Sequence, residues 1–410
     1  MIRSNLSFLQ NFFHLGFIQA SNIVIQILLF PLIIRIIGIE KFGVVMVTNS
    51  AVLLAGIFVN YGTGLSGIKD VVIHKNDKIK LLSTLSTIYY TRLIVTTLLL
   101  FLLPILYFTH LNLVYILFAL PILFAETINP VFYFSGTENL FIYNLMNLFA
   151  KLLTVLLIVL MIKSPDDAPL VNFYIGISNC IFFAAIAIFT CIKKEIGVLK
   201  PNFTAIRDLL KQNFYLVGNN ISVQLQQSFF LFTIASINQP LILGAYSICD
   251  KIVWSFRLIL AAFSGALFPK AVDIFQTNQT GWRNFKRKIN QLLAIIFTLN
   301  GIAFFIFAPL IAILFTGKSD PITISFIRTI SFVPLVASLN VLNVLELLSR
   351  NKYRDIFTIA IAMLIITCLL SFIFITFFPE KYFGLYPLII ETCAIPLYLF
   401  FIRKKHQIIN

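Results

Sequence analysis

Residues 356–378 read IFTIAIAMLIITCLLSFIFITFF, a run of twenty-three positions without a charged side chain. About 20 apolar residues are enough for an α-helix to cross the hydrocarbon core of a bilayer. Similar runs recur along the 410 residues, which are 59% hydrophobic and 11% charged, with a mean hydropathy of +0.95. These values exclude a soluble globular protein, and the unbroken runs exclude a transmembrane β-barrel. The sequence therefore predicts an all-α polytopic membrane protein.

The apolar runs predict 12 transmembrane helices. Their approximate bounds are 11–37, 43–67, 82–108, 113–134, 140–162, 170–192, 212–236, 241–268, 290–315, 322–348, 356–378 and 385–402. The termini and the connections after even-numbered helices hold 21 basic residues, and the connections after odd-numbered helices hold 4. Because cytoplasmic loops carry the excess of Lys and Arg, both termini are predicted to be cytoplasmic. The basic character of the chain, net charge +15, is thus an orientation signal rather than a sign of nucleic-acid binding.

A weak internal repeat relates the two halves of the sequence. At a shift of 201 residues, Ser21 meets Ser222, Gln26 meets Gln227, and two glycines of helix 2, Gly43 and Gly64, meet Gly244 and Gly265 of helix 8. Six helices return the chain to the side where it began, so the two halves would share one orientation. We therefore predict two six-helix lobes, 1–200 and 201–410, forming a parallel repeat with a substrate site between the halves near the membrane midplane.

Charged side chains lie inside several predicted helices, although a charge at the bilayer centre costs about 2.5–3.5 kcal/mol. Four basic residues lie deepest and would attract an anion such as a diphosphate, with Arg257 the first candidate: Arg92, Lys151, Lys251 and Arg257. Glu126 and Asp250 would serve either cation coupling or structural pairing. Glu391 lies near a predicted outer end, where a charged side chain reaches water easily, so it is interpreted as an anchor.

Polar side chains form stripes at helical spacing on several predicted helices. These stripes favour a hydrated cleft, although interhelical hydrogen bonds would also explain each individual amide. Helix 8 carries Asp250 and Arg257 on one face with Lys251 adjacent, and the other stripes are Gln19, Asn22 and Gln26 in helix 1, Asn144, Asn147 and Lys151 in helix 5, and Asn220, Gln224 and Gln227 in helix 7. We predict that Gln26, Asn220 and Gln227 contact substrate.

No metal or cofactor is predicted. The five cysteines are scattered singly, which indicates neither a metal site nor a disulfide framework. Residues 62–67 read GTGLSG and match a nucleotide-binding pattern, but they close an apolar helix instead of following a strand. Small residues that allow close helix packing explain this stretch better.

Three stretches resemble the O-antigen and polysaccharide flippases (Wzx type) of the multidrug/oligosaccharidyl-lipid/polysaccharide exporter superfamily. They are residues 31–43, PLIIRIIGIEKFG; residues 132–138, FYFSGTE, with a Tyr/Phe run where the family commonly carries Trp; and residues 243–252, LGAYSICDKI. The resemblance implies a bacterial inner-membrane protein whose two lobes form a V that opens alternately to each side. It also implies a cargo, an undecaprenyl-diphosphate-linked oligosaccharide carried from the cytoplasmic to the periplasmic leaflet. Membrane lipids are further partners, and a polysaccharide polymerase and a chain-length regulator are candidate ones.

Two alternatives to a flippase stay open. A cation-coupled drug antiporter of the same superfamily would share the fold but should have a more acidic cavity. A membrane-embedded polysaccharide polymerase or ligase typically carries a large periplasmic loop, whereas the longest predicted outer connection here, 163–169, has seven residues. We therefore expect a transporter and not an enzyme.

Overall fold

The computed structural model describes residues 25, 28–104, 112–194, 199–277 and 279–403, and these ranges contain helices and no strand. The all-α prediction is confirmed. The chain forms two compact units, Met1–Gln224 and Leu225–Asn410.

The described helices of the first unit pack mainly through α5, which lies against α8 and α2. A short 3₁₀ turn, Pro165–Asp167, precedes α8. The helices are α1 Leu28–Ile37, α2 Ile39–Asn60, α3 Thr63–His74, α4 Lys78–Leu102, α5 Leu113–Ile128, α6 Val131–Gly136, α7 Leu140–Met161, α8 Leu170–Lys194 and α9 Phe203–Ser236, which continues into the second unit.

In the second unit, α14 is the central helix and packs against α10, α11 and α16. A 3₁₀ turn, Glu380–Leu385, precedes the last helix. The helices are α10 Pro240–Thr277, α11 Gln279–Ile306, α12 Ala308–Thr316, α13 Pro321–Ile330, α14 Val333–Ser349, α15 Tyr353–Phe377 and α16 Tyr386–Arg403.

Ten helical segments in the described ranges are long and apolar enough to cross a membrane. They correspond to predicted helices 2–6 and 8–12. Predicted helix 1 lies partly outside the described residues, and predicted helix 7 corresponds to α9, whose Asn and Gln side chains lower its hydropathy. The structure is consistent with the predicted twelve membrane-spanning helices. On α15, Ile365, Leu369 and Phe372 are each more than half exposed on one face, as expected for a surface in contact with lipid.

The units interrupt their fourth predicted span at matching positions. In the first unit the break falls at Asn129 and Pro130, between α5 and α6, because a proline cannot donate a backbone hydrogen bond within a helix. In the second unit it falls at Ser331 and Phe332, between α13 and α14. A shift of 201 carries Pro130 onto Ser331, so the breaks support the internal repeat.

The division after Gln224 lies within α9 and not at the predicted lobe boundary after residue 200. The beginning of α9 belongs to the first unit because Asn213 donates hydrogen bonds to Tyr61 O at 3.0 Å and Ser66 Oγ at 2.8 Å. The lobe bounds 1–200 and 201–410 stay a prediction.

Candidate substrate-binding site

Lys151 lies in the middle of α7, eleven residues after Leu140 and ten before Met161. It is partly buried, on the same side of the helix as the buried Asn144 and Ile158. The opposite side exposes four large apolar residues, Leu145, Phe149, Leu152 and Leu156. Lys151 therefore belongs to the inward side of α7, as the stripe Asn144–Asn147–Lys151 predicted.

Lys151 differs from the other predicted cations in its surroundings. Within the described parts of the chain, no carboxylate or hydrogen-bond acceptor lies within bonding distance of its ammonium group. A partly buried ammonium in a spanning helix is costly unless it meets water, a polar lining or an anion. This residue is the strongest feature of the candidate site.

The polar face of α10 exists as predicted, but its cations have carboxylate partners. Lys251 Nζ lies 3.3 Å from Asp250 Oδ2 of the adjacent residue. Arg257 donates from Nη2 to Glu391 Oε1 at 2.8 Å and from Nε to the same oxygen at 3.3 Å. Arg257 thus joins α10 to α16, and Glu391, which the sequence suggested as an anchor near the outer end, is its partner.

Arg92 of α4 is fully buried and hydrogen-bonded inside the first unit. Its Nε and Nη2 donate to Thr63 Oγ1 at 3.0 and 2.7 Å, and its Nη1 donates to Asn129 O at 2.7 Å and Glu126 O at 3.3 Å. The guanidinium also lies 4.9 Å from the centre of the Phe132 ring. These bonds satisfy carbonyl groups at the end of α5, which lack helical partners because of the break at Pro130.

Glu126 belongs to the same network. Its carboxylate accepts hydrogen bonds from Asn60 Nδ2 at 2.7 Å and from Asn129 Nδ2 at 3.1 Å. Asn129 Oδ1 in turn accepts from Tyr143 OH at 3.2 Å. The two amide donors and the nearby Arg92 place the Glu126 carboxylate in a hydrogen-bonded network beside the break, as structural pairing would require, and the assignment of Glu126 to coupling or pairing stays a prediction.

Of the three amide side chains that were predicted to contact substrate, two lie in the described residues. Asn220 and Gln227 are partly buried on α9. Gln26 lies outside the described residues. The assignment of these three side chains to substrate stays a prediction.

The structure therefore separates the four predicted cations into two kinds. Three lie next to a carboxylate of their own unit: Arg92 near Glu126, Lys251 beside Asp250, and Arg257 with Glu391. Lys151 does not. Sequence reasoning missed Asn60 and Thr63, which complete the Arg92 network, because the packing of α2, α3, α4 and α5 brings them together.

A further ion cluster, which the sequence reasoning did not predict, lies at the C-terminal end of α14. Glu346 is 5% exposed and accepts from Lys286 Nζ at 2.7 Å and from the guanidinium of Arg350. Arg350 also donates to Ile402 O at 3.0 Å, near the end of α16. The cluster ties α11, α14 and α16 together, which is a structural role.

The geometry describes a polytopic helical protein with buried polar clusters in which Lys151, of the four cations predicted for the site, has no carboxylate partner among the described residues. Residues 8–275 match the family described as polysaccharide biosynthesis protein. The chain belongs to that family. The match covers the first unit from residue 8 onward and the polar face of α10, and the resemblance to this family is confirmed.

A full-length relative of this family member comes from Escherichia coli (strain K12) and is described as "Putative O-antigen transporter". The two are 22% identical over 421 residues, and the alignment covers 100% of both chains.

Solved structures of several MATE transporters share this fold. An inward-facing MATE transporter of the MOP superfamily is 15% identical, with a TM-score of 0.77, over 93% of this chain and 92% of that one. An outward-facing structure of a MATE transporter of this superfamily gives a TM-score of 0.58 at 15% identity, covering 90% and 94%. The Vibrio cholerae MATE transporter VcmN in its bent form gives 0.60 at 15%, covering 97% of both chains. At these identities the likeness establishes the fold. The named relatives are transporters and not enzymes.

Proposed function

We propose that this family member is a flippase for a lipid-linked oligosaccharide. Its cargo is an undecaprenyl-diphosphate-linked O-antigen repeat unit, moved from the cytoplasmic to the periplasmic leaflet by alternating access. The protein would reside in the bacterial inner membrane with both termini in the cytoplasm, as the distribution of basic connections favours. Family membership and the full-length relative support this cargo class.

Lys151 is the observation that carries the proposal. It is a cation in the middle of a spanning helix, on the inward side of that helix, without a carboxylate partner in the described ranges. An ammonium group binds phosphate as a compact point charge. In this proposal Lys151 contacts the diphosphate, and Asn144 and Asn147 on the same side of α7 bind its oxygens or the first sugar.

Lys251 and Arg257 hold a second role in the proposal. Each exchanges its carboxylate partner, Asp250 or Glu391, for a substrate phosphate oxygen when cargo is bound. A guanidinium accommodates this exchange because it can engage a carboxylate or a phosphate with the same pair of N–H groups. The amides of Gln26, Asn220 and Gln227 are assigned to sugar hydroxyls.

Arg92 and Glu126 are given a structural role instead. Four hydrogen bonds and complete burial hold the Arg92 guanidinium at the break between α5 and α6. Substrate contact would require that network to open and leave the Asn129 carbonyl oxygen without its Arg92 donor, at about 1–3 kcal/mol.

The test compares Lys151→Ala and Lys151→Arg with Lys163→Ala, which removes a lysine from the connection after the same helix. Cells that lack the native gene would express each variant at matched levels, and surface polysaccharide would be measured. We expect Lys151→Ala to lose most of it, Lys151→Arg to retain part, and Lys163→Ala to retain all. Normal polysaccharide in the Lys151→Ala cells would reject the role of this residue.

A reconstituted assay tests the cargo itself. Purified protein in liposomes would receive a fluorescent diphosphate-linked oligosaccharide lipid, and its transfer between leaflets would be followed with a quencher that cannot cross the membrane. Transfer of this lipid but not of a fluorescent phosphatidylcholine supports the proposal. Equal transfer of both would indicate an unselective scramblase, and transport of a cationic drug without lipid transfer would indicate an antiporter.

A further inference from the structure

A groove of about 710 Å³ lies within the first unit, where α9 passes α2 and α4. Its lining is mostly apolar and aromatic, with two basic side chains on one wall. The lining residues are Tyr61, Ile94, Phe203, Ile206, Arg207, Leu210, Lys211, Phe214 and Tyr215. None of them is a residue that the proposed flippase mechanism uses.

One wall of this groove is a continuous stripe of α9. Phe203, Arg207, Lys211 and Phe214 follow one another at spacings of three and four residues, so they lie on one face of the helix. Arg207 and Lys211 are exposed, and neither is paired with a carboxylate in the described residues. Asp208 is offset by one position and is not part of the groove lining.

The opposite wall is held in place by the turn between α2 and α3. Gly62 has φ +73°, and a Cβ added there would lie 3.1 Å from Leu216 Cβ and 3.3 Å from Asn213 Cβ. Asn213, 2% exposed, donates to Tyr61 O and to Ser66 Oγ across this contact. Because these bonds and this close contact fix the Tyr61 side of the groove against α9, the groove is a built feature and not a gap between loosely packed helices.

The combination of features selects a class of ligand. Two cations on one rim match a phosphate group, whereas the apolar walls match an acyl chain and would not retain a free phosphate. Tyrosine side chains such as Tyr215, which is 74% exposed, are enriched where a membrane meets water. Basic pockets between membrane helices on the side of the basic connections are typical sites for anionic lipid headgroups.

We propose that this groove binds an anionic phospholipid, with the headgroup phosphate on Arg207 and Lys211 and an acyl chain along Phe203, Phe214 and Ile94. The bound lipid fills the space beside the beginning of α9 and fixes this segment against the turn at Gly62. The site is independent of the proposed substrate site and does not rest on the flippase proposal.

The test measures lipid retention by native mass spectrometry of the full chain, purified with phosphatidylglycerol and phosphatidylcholine as the two probes. The variant Arg207→Gln/Lys211→Gln removes both cations without changing side-chain length greatly. Its matched control, Arg283→Gln/Lys288→Gln, removes two exposed cations of α11 that lie outside the groove. Each basic residue near an anionic lipid contributes roughly fivefold in binding, so the groove variant should bind phosphatidylglycerol about 30-fold more weakly.

The proposal is supported if phosphatidylglycerol is retained by the native protein and by the control variant but lost from the groove variant. It is overturned if all three proteins retain phosphatidylglycerol equally, or if phosphatidylcholine binds as tightly. Retention of an added polyprenyl diphosphate in place of phosphatidylglycerol would also overturn it. Because the readout is lipid retention, it is separate from the transport assay. A second variant, Phe203→Ala/Phe214→Ala, should weaken both lipids without changing their ratio.

Discussion

Arg257 of α10 donates a hydrogen bond of 2.8 Å to Glu391 of α16, across a sequence separation of 134 residues. Both side chains are partly buried, with 27% and 17% of their surfaces exposed. An ion pair in such a setting gains little net stability, but removing one partner leaves an uncompensated charge that is costly. The pair therefore links α10 to α16. A substrate that approached Arg257 would find its guanidinium already bonded to a carboxylate.

We predict that Arg257 and Glu391 are energetically coupled. The single variants Arg257→Gln and Glu391→Gln should each lower the stability of the purified protein, and the double variant should lose less than their sum. The expected coupling is about 0.5–3 kcal/mol, measured by equilibrium unfolding in mixed micelles. Strictly additive losses would show that the two side chains do not interact in the folded protein.

Arg92 and Lys151 should respond in opposite ways to the same substitution. Arg92→Met removes four donated hydrogen bonds at the helix break and should lower stability and yield, with normal transport per folded molecule. Lys151→Met removes an unpaired charge and should leave stability unchanged or raised while transport falls. Thermal unfolding and the liposome assay on the same preparations separate these effects. A stable but inactive Arg92→Met protein would contradict the structural role.

Gly176 of α8 lies at a close approach of α8 to α5. A Cβ at this position would lie 2.5 Å from the backbone carbon of Pro121 and would also contact Ile122 N, and neither atom can move without shifting the helix. Gly176→Ala should therefore destabilise the protein by about 1–3 kcal/mol. The control is Gly265→Ala in α10, where nothing lies within 4 Å. Equal thermal stability of the two variants would refute the close contact.

Asp167 should titrate below its usual range. The backbone N–H groups of Lys163 and Ser164, and the Ser164 hydroxyl, donate to its carboxylate and lower its pKa from the ordinary 3.8. Because these bonds favour the charged carboxylate, they stabilise the 3₁₀ turn fully above pH 3.8. This stabilisation is lost as the pH falls through the lowered pKa of Asp167. A carbon-detected NMR titration with labelled aspartate should show the low midpoint. Ser164→Ala should move it back towards 3.8, and an unchanged midpoint would contradict the hydroxyl's contribution.

The sequence predicted which polar residues share a helix face, but it did not predict which residues they contact. Helical spacing placed Asn144 and Lys151 on one side of α7 and Asp250 and Arg257 on one face of α10, and the structure places them so. It left Glu391 as an anchor near the outer end, although Glu391 is the partner of Arg257. Spacing along a helix is a local property, whereas a partner on another helix depends on how α10 and α16 pack.

Local composition alone determined the all-α class, the succession of apolar helices and the distribution of basic connections, because bilayer thickness and backbone hydrogen bonding dictate those features residue by residue. The tertiary structure determined which partner each of the buried cations contacts. Arg92 fills the break that Pro130 creates in the span formed by α5 and α6, Arg257 finds Glu391, and Lys151 is left without a carboxylate among the described residues. Those outcomes arise from contacts between distant helices, and no pattern within a single helix contains them.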